Sequence, residues 1–187
     1  MNTSKVIDEV FQTFRLHGHR HYGENVTETM HALQCATFAM ENGEASVVIA
    51  ACLLHDYGHL VHDLGEDIAK KGIDAHHETL GANRLSQWFT EDLVEPVRLH
   101  VAAKRYLCLK NPKYLEGLSE ASRQSLFLQG GPMSEQEGLL FEANPHHQNA
   151  VRLRLYDDMG KLPDMKTPDF EDFREILEEF VLERPTA

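Results

Sequence analysis

The eight residues 47–54, VVIAACLL, constrain this 187-residue chain more than any other stretch, because they run straight into His55-Asp56. A segment apolar on nearly every side belongs to a helix at the centre of a bundle, with no face left for water. Polar and charged side chains do not end such a run unless partners wait for them, since burying them unpaired costs about 2–7 kcal/mol each, and more for a charge. The dipeptide alone carries nothing: the chain holds twelve histidines, and a second pair, His62-Asp63, stands nearby. Its position at the end of the buried run carries the information.

The rest of the pattern is helical almost throughout. Val6, Val10, Phe11 and Phe14 share one face of a first helix. Asn25 or Thr27 caps a second, which carries Met30, Leu33, Cys35, Phe38 and Met40 and stops at Gly43. The third is predicted over 45–56, and Gly58 and Leu64-Gly65 break the chain after it. Further helices are predicted over 74–89, 91–107, 119–128, 134–141, 149–158 and 169–182. No stretch alternates with period two for long enough to form a strand, and no repeat or linker divides the chain. The expectation is an all-α fold, one helical bundle over residues 1–187.

Composition narrows the partners. A formal net charge of −12 argues against nucleic acid or an anionic membrane surface, while leaving room for a small anion held by a few local cations. No apolar run approaches the length of a membrane span, and the N-terminus shows no secretory signal. Cys35, Cys52 and Cys108 are odd in number and sit among apolar neighbours, which reads as buried reduced thiols in a cytoplasmic protein.

A metal cluster supplies the partners that His55-Asp56 needs. The Asp56 carboxylate can bridge two cations while His55 binds one, and His59, one turn on, points towards the same cavity without having to ligate. Further ligands must come from other helices. His31 sits within a largely apolar segment, His77 opens a helical run, His100 follows Val97-Arg98-Leu99, and Asp157 closes RLRLYDD. Taken singly, His31 and His100 read as readily as satisfied core histidines. His17, His19, His21, His62, His76, His146 and His147 read as loop or surface residues, and Lys104-Arg105 as a solvated helix face or a cationic site.

As an ordered set, His31, His55-Asp56, His77, His100 and Asp157 resemble the HD-domain superfamily, with the additional histidine of its two-metal members. LHDYGH (54–59), HVAAKRY (100–106), SEASRQSLFLQGGPMSEQE (119–137) and RLRLYDDMGK (152–161) are similar to the PhnZ type of mixed-valent diiron oxygenase. Those enzymes cleave the carbon–phosphorus bond of hydroxylated aminophosphonates, and myo-inositol oxygenase is a more distant relative. The resemblance spans about residues 22–165. It implies a buried dinuclear site, with His31, His55, Asp56, His77, His100 and Asp157 as ligands to two Fe ions, Fe(II)/Fe(III), and Asp56 bridging. It implies that His59, Lys104, Ser122 and Arg154 hold the phosphonate, that Gln129 lies near that pocket, and that Glu24 faces the substrate amine. Asp56, His59 and Lys104 are the residues expected to matter most for turnover. The family has a tyrosine three residues before the glutamate as a latch over the metals. Here His21 holds that register and Tyr22 follows it, so either residue is a candidate for the role.

What this implies chemically is an oxygenase with O2 as co-substrate. A 1-hydroxy-2-aminoethylphosphonate, as primary amine or N-trimethyl form, supplies all four electrons and yields glycine or glycine betaine plus phosphate. An upstream phosphonate hydroxylase would make that substrate. The same ligands could serve a metal-dependent HD phosphohydrolase acting on a small phosphate ester. A non-catalytic signalling module is a third reading, and it predicts a degraded ligand set.

Overall fold

The computed structural model describes residues 2–21, 25–61 and 75–183. Among these the chain is helical, with two isolated β-bridges and no strand, as the pattern predicts. Helix α1, Thr3–His17, buries Val6, Ile7, Val10, Phe11 and Phe14, and Asn2 caps it through its side chain. Helix α2, Glu28–Glu41, is capped by Thr27, whose hydroxyl accepts from the Met30 N–H. Helix α3, Ser46–Leu54, buries everything from Val48 to Leu54 and forms the axis of the molecule. Around it pack α2, α6 (Glu91–Lys110) and α10 (His147–Met159), which also touch one another where α10 meets α2 and α6.

The third helix is shorter than predicted. It ends at Leu54, and the His55 ring Nδ1 lies 2.8 Å from the Cys52 carbonyl. His55 and Asp56 then form a turn, closed by a bond from the His59 N–H to the Asp56 carbonyl (2.9 Å), and α4, Tyr57–Val61, follows. Gly58 therefore does not break the chain; it sits inside α4. A Cβ there would lie 1.9 Å from the carbonyl oxygen of His77, the first residue of α5 (His77–Leu85), and a Cβ on Gly81 would lie 2.8 Å from the Gly58 nitrogen. Two facing glycines let α4 and α5 cross backbone to backbone. Leu64-Gly65, and the start of the helix predicted over 74–89, fall outside the described residues.

Beyond α6 come α7 (Pro112–Gly117), α8 (Glu120–Leu128) and α9 (Glu135–Glu142). Ser119 caps α8, and Ser134 with Glu137 makes a capping box on α9. The short α7 was not legible in the pattern. The helix predicted over 169–182 is replaced by a 3-10 turn, Phe170–Phe173, and a brief α11, Arg174–Glu178. Its C-terminal end carries Glu175, Glu178 and Glu179, the wrong charge for a helix C-terminus. The chain then turns to pair Val181 with Phe89, with the Leu182 N–H donating to the Trp88 carbonyl (2.7 Å). No helix of the described residues is long and apolar enough to cross a membrane.

Candidate metal centre

Five elements deliver six side chains to one point: His31 from α2, His55 and Asp56 from the turn after α3, His77 from the start of α5, His100 from α6 and Asp157 from α10. All six are buried, and His31 and His55 have no exposed surface. The two carboxylate oxygens of Asp56 face different partners. Its Oδ2 lies 3.2 Å from His55 Nε2 and 3.6 Å from His31 Nε2, while its Oδ1 lies 3.3 Å from His77 Nε2 and 3.6 Å from His100 Nε2. Asp157 joins the first set, at 3.5 Å from His31 Nε2 and 3.8 Å from His55 Nε2.

The ring geometry fits cations. Nδ1 of His31 faces the Gly160 carbonyl (2.7 Å), that of His55 the Cys52 carbonyl (2.8 Å) and that of His100 the Val97 carbonyl (2.7 Å). A carbonyl only accepts, so each ring proton belongs on Nδ1 and each Nε2 presents a lone pair to the centre. Yet His31 Nε2 and His55 Nε2 stand 3.1 Å apart, and His77 Nε2 and His100 Nε2 3.0 Å apart. For His31 and His55 the facing nitrogens both carry lone pairs, which come this close when one cation sits between them: adjacent nitrogens bound at about 2.1 Å and a right angle are about 3 Å apart, and the His77–His100 spacing matches that value. Asp56 Oδ2, buried and without a hydrogen-bond partner among the described residues, is left for the same use. His31, His55, Asp157 and one Asp56 oxygen could thus hold one ion, and His77, His100 and the other oxygen a second.

The electrostatics agree. Burial disfavours a charge on His55, but Asp56 and then Asp157 lift its pKa to about 9, so the carboxylates call for positive charge at this point. Burial would likewise raise the Asp157 carboxyl, whereas Arg154 and then His31 hold it well below the usual range. Gly160 positions the His31 ring. A Cβ there would meet Cys35 Sγ at 2.5 Å and His31 Nδ1 at 3.0 Å, so only glycine brings its carbonyl onto the ring. Cys35 Sγ is 3.7 Å from both His31 nitrogens, which sets the thiol against the ring beside the centre.

Next to the ligands lies a cationic group. Lys104 is one helical turn beyond His100 on α6 and is 2% exposed. Burial, then Arg154, pulls its pKa down to about 7. Its Nζ donates to Ser125 Oγ (2.7 Å), and Ser125 donates in turn to the Ser122 carbonyl (3.1 Å). Lys161 donates to Ser122 Oγ (3.0 Å) and Ser119 Oγ (3.2 Å). Arg154 turns its fork onto carboxylates: Nη1 donates to Asp157 Oδ2 (2.6 Å), Nη2 to Asp158 Oδ1, and Nε to Asp158 Oδ2 and to the Tyr114 hydroxyl. Here it braces Asp157 instead of presenting an open fork. Gln129 Oε1 is buried with no hydrogen-bond partner among the described residues.

His59 stacks on His77, ring centroids 4.1 Å apart, and its carbonyl accepts from Arg20 Nη1. His21 is exposed and pairs through its backbone with Thr27. Tyr22 and Glu24 lie outside the described residues. Sequence reasoning missed Glu28, Gly160, Lys161 and the Tyr114–Asp158 support of Arg154. Gly160 and Lys161 stand within RLRLYDDMGK, but no local pattern distinguishes a contact glycine from a helix terminator.

The HD domain model matches residues 29–143, which takes in His31 to His100 and stops short of Asp157. The chain is 41% identical to the [1-hydroxy-2-(trimethylamino)ethyl]phosphonate dioxygenase (glycine-betaine-forming) of Leisingera caerulea, over 97% of this chain and 93% of that protein. It is also 41% identical to the hydroxymethylphosphonate dioxygenase of Gimesia maris, over 92% and 86%. To the uncharacterised protein L432 of Acanthamoeba polyphaga mimivirus it is 34% identical over 97% and 86%. With the histidine–aspartate cluster and all-helical fold described above, these likenesses show that the chain belongs to the HD-domain family, in the branch that contains the phosphonate dioxygenases.

Proposed function

We propose that this chain, acting as one domain over residues 1–187, is a diiron dioxygenase. It would oxidatively cleave the C–P bond of a 1-hydroxy-2-aminoethylphosphonate-type substrate, as primary amine or N-trimethyl form. The observation that carries the reading is Asp56, whose two oxygens face two separate pairs of histidine nitrogens. The two dioxygenase relatives support the chemistry, and the phosphohydrolase alternative is correspondingly disfavoured.

In this reading His31, His55 and Asp157 hold one iron, His77 and His100 the other, and Asp56 both. When bound, an Fe(II)/Fe(III) pair supplies the one-electron chemistry by which O2 oxidises the hydroxylated carbon. The chain's own groups do the rest. Lys104, buried and poised near neutrality, takes the phosphonate charge, with Ser122 and Lys161 beside it and Gln129 at the margin. Arg154 braces Asp157 and thereby fixes the first set of ligands. His59 packs over His77 and shields that ring from solvent. The balance closes without a reductant: substrate plus O2 gives carboxylate plus phosphate, the C–H and C–P bonds break, one oxygen atom is added at carbon and one at phosphorus, the hydrogen leaves as a proton, and O2 takes up all four electrons. A phosphonate hydroxylase upstream would supply the substrate, and we place the chain in the cytoplasm.

The test is phosphate release by iron-loaded protein from 1-hydroxy-2-aminoethylphosphonate and its N-trimethyl analogue, with and without oxygen. Release that needs oxygen supports the dioxygenase; release that ignores oxygen refutes it in favour of a hydrolase.

A further inference from the structure

Gln34 is a wholly buried amide on the face of α2 that carries His31, one turn further along the helix. Both ends of its side chain are used on the backbone of one residue. Its Nε2 donates to the Leu162 carbonyl (2.7 Å), and its Oε1 accepts from the Leu162 N–H (2.9 Å). A neutral amide carries donor and acceptor on one planar group, so it can clamp a backbone in this way where an aliphatic side chain of the same size cannot. Leu162 is 50% exposed, so burial of its own side chain does little to anchor the chain here. As packing alone, Gln34 is a satisfied core residue. Its further role comes from where the clamped segment leads.

Residues 160–162 follow the end of α10 directly and carry no helix of their own. At one end of this segment the Gly160 carbonyl meets His31 Nδ1 (2.7 Å); at the other Leu162 is held by Gln34. Helix α2 thus grips both ends through two residues one turn apart. Between the grips Lys161 crosses to α8, where its Nζ donates to Ser122 Oγ (3.0 Å) and Ser119 Oγ (3.2 Å). Planar peptides leave few free torsions over so short a span, so the anchor at Leu162 restricts both preceding residues. Lys104 reaches the same helix from α6, at Ser125 Oγ (2.7 Å). Two ammonium groups therefore meet Ser119, Ser122 and Ser125, which share one face at the start of α8.

Resting on the proposed function, we infer that Gln34 is a positioning residue: by clamping Leu162 it fixes Lys161 as a second cation for the phosphonate and sets the Gly160 carbonyl on the His31 ring. The anion site and the first ligand set then share one backbone strap. Gln34 acts on the anion through Lys161 and on the metal through Gly160 and His31. Without the clamp Lys161 keeps its charge but loses its fixed place over Ser119 and Ser122, and the ordering it then needs is taken from binding.

The test is a double-mutant cycle on Gln34→Met, which keeps the side-chain volume and removes both bonds, and Lys161→Met. Proteins saturated with iron are titrated without oxygen, with inorganic phosphate and with 1-hydroxy-2-aminoethylphosphonate, and a competing chelator reads how tightly the irons are held. Lys161→Met should weaken both anions about 10-fold and leave the irons as firmly held as in wild type. Gln34→Met should weaken both anions about 3- to 10-fold and make one of the two irons about 10-fold easier to remove. The double variant should bind the anions no more weakly than Lys161→Met alone, and in turnover each loss should sit in KM. A glutamine that only supports packing lowers stability with anion binding unchanged, or gives losses that add in the double variant; either result overturns the assignment. So does a Lys161→Met protein that binds phosphate as wild type does. If Gln34→Met fails to fold, Gln34→Glu, which keeps the bond from the Leu162 N–H, takes its place in the cycle and must show the same non-additivity. Absence of oxygen-dependent phosphate release from wild type refutes the dioxygenase itself, and the titration with inorganic phosphate still decides Gln34.

Discussion

Gly58→Ala should remove one metal and spare the other. The added Cβ would stand 1.9 Å from the His77 carbonyl oxygen and 2.7 Å from its carbon. Both are backbone atoms, so no rotamer relieves the clash. Restoring an ordinary 3.4 Å contact takes about 1.5 Å of separation between α4 and α5. His77 is the first residue of α5 and moves with it, away from Asp56 Oδ1 at 3.3 Å and His100 Nε2 at 3.0 Å. Metal sites tolerate roughly 0.2 Å, so the ion shared by His77 and His100 is lost. His31, His55 and Asp157 come from α2, the end of α3 and α10, none of which crosses at Gly58. Overpacking should cost about 1–3 kcal/mol, or about 2–12 °C in Tm for a chain of this size. The assay is iron per chain after reconstitution, together with chemical unfolding. Gly117→Ala is the control, because a Cβ there meets nothing within 4 Å. Two irons per chain at unchanged stability would show that the α4–α5 crossing does not set His77. Loss of both irons together would show that the two ligand sets are not independent.

Gly160→Ala should displace the His31 ring and lower metal affinity about 10- to 100-fold at that ion; adding Cys35→Ala should recover part of the loss, because the 2.5 Å contact to Sγ disappears, and unfolding with metal titration reads both. Asp56→Ala should abolish metal pairing altogether, leaving fewer than one iron per chain by metal analysis. Lys104 carries a pH signature. Its folded pKa, about 7, lies below the ordinary 10.5, so its charge opposes folding below about 7 and the penalty is relieved as pH rises towards 10.5. Lys104→Met should therefore stabilise metal-free protein by roughly 2–5 kcal/mol at pH 6 and by nothing near pH 10.5. It should also remove the weakening of phosphonate binding as pH climbs past 7, measured by titration calorimetry.

Periodicity and caps made the helices readable because both are local. The unbroken run of 47–54 announced the axis of the molecule, and the helix predicted over 134–141 appeared as α9, Glu135–Glu142. Local patterns also misled. The apolar positions 170, 173 and 177 kept helical spacing, but Phe89 and Val181 paired across 92 residues and the helix gave way. Gly58 reads as a breaker in any one-dimensional view; that it is a contact surface depends on Gly81 and His77 arriving opposite it.

By itself the sequence determined an all-helical bundle and a buried histidine–aspartate pair that demands partners. The order of His31, His55-Asp56, His77, His100 and Asp157 pointed to which ones. Burial and helical spacing are written residue by residue, so a single chain displays them. Only the tertiary structure decided that Asp56 turns one oxygen to each histidine pair, that Arg154 directs its fork to Asp157 and Asp158, and that Glu28 Oε2 is buried with no hydrogen-bond partner among the described residues. Those outcomes depend on which side chains from distant helices meet. That meeting is fixed by close packing across the bundle, which no stretch of sequence carries alone.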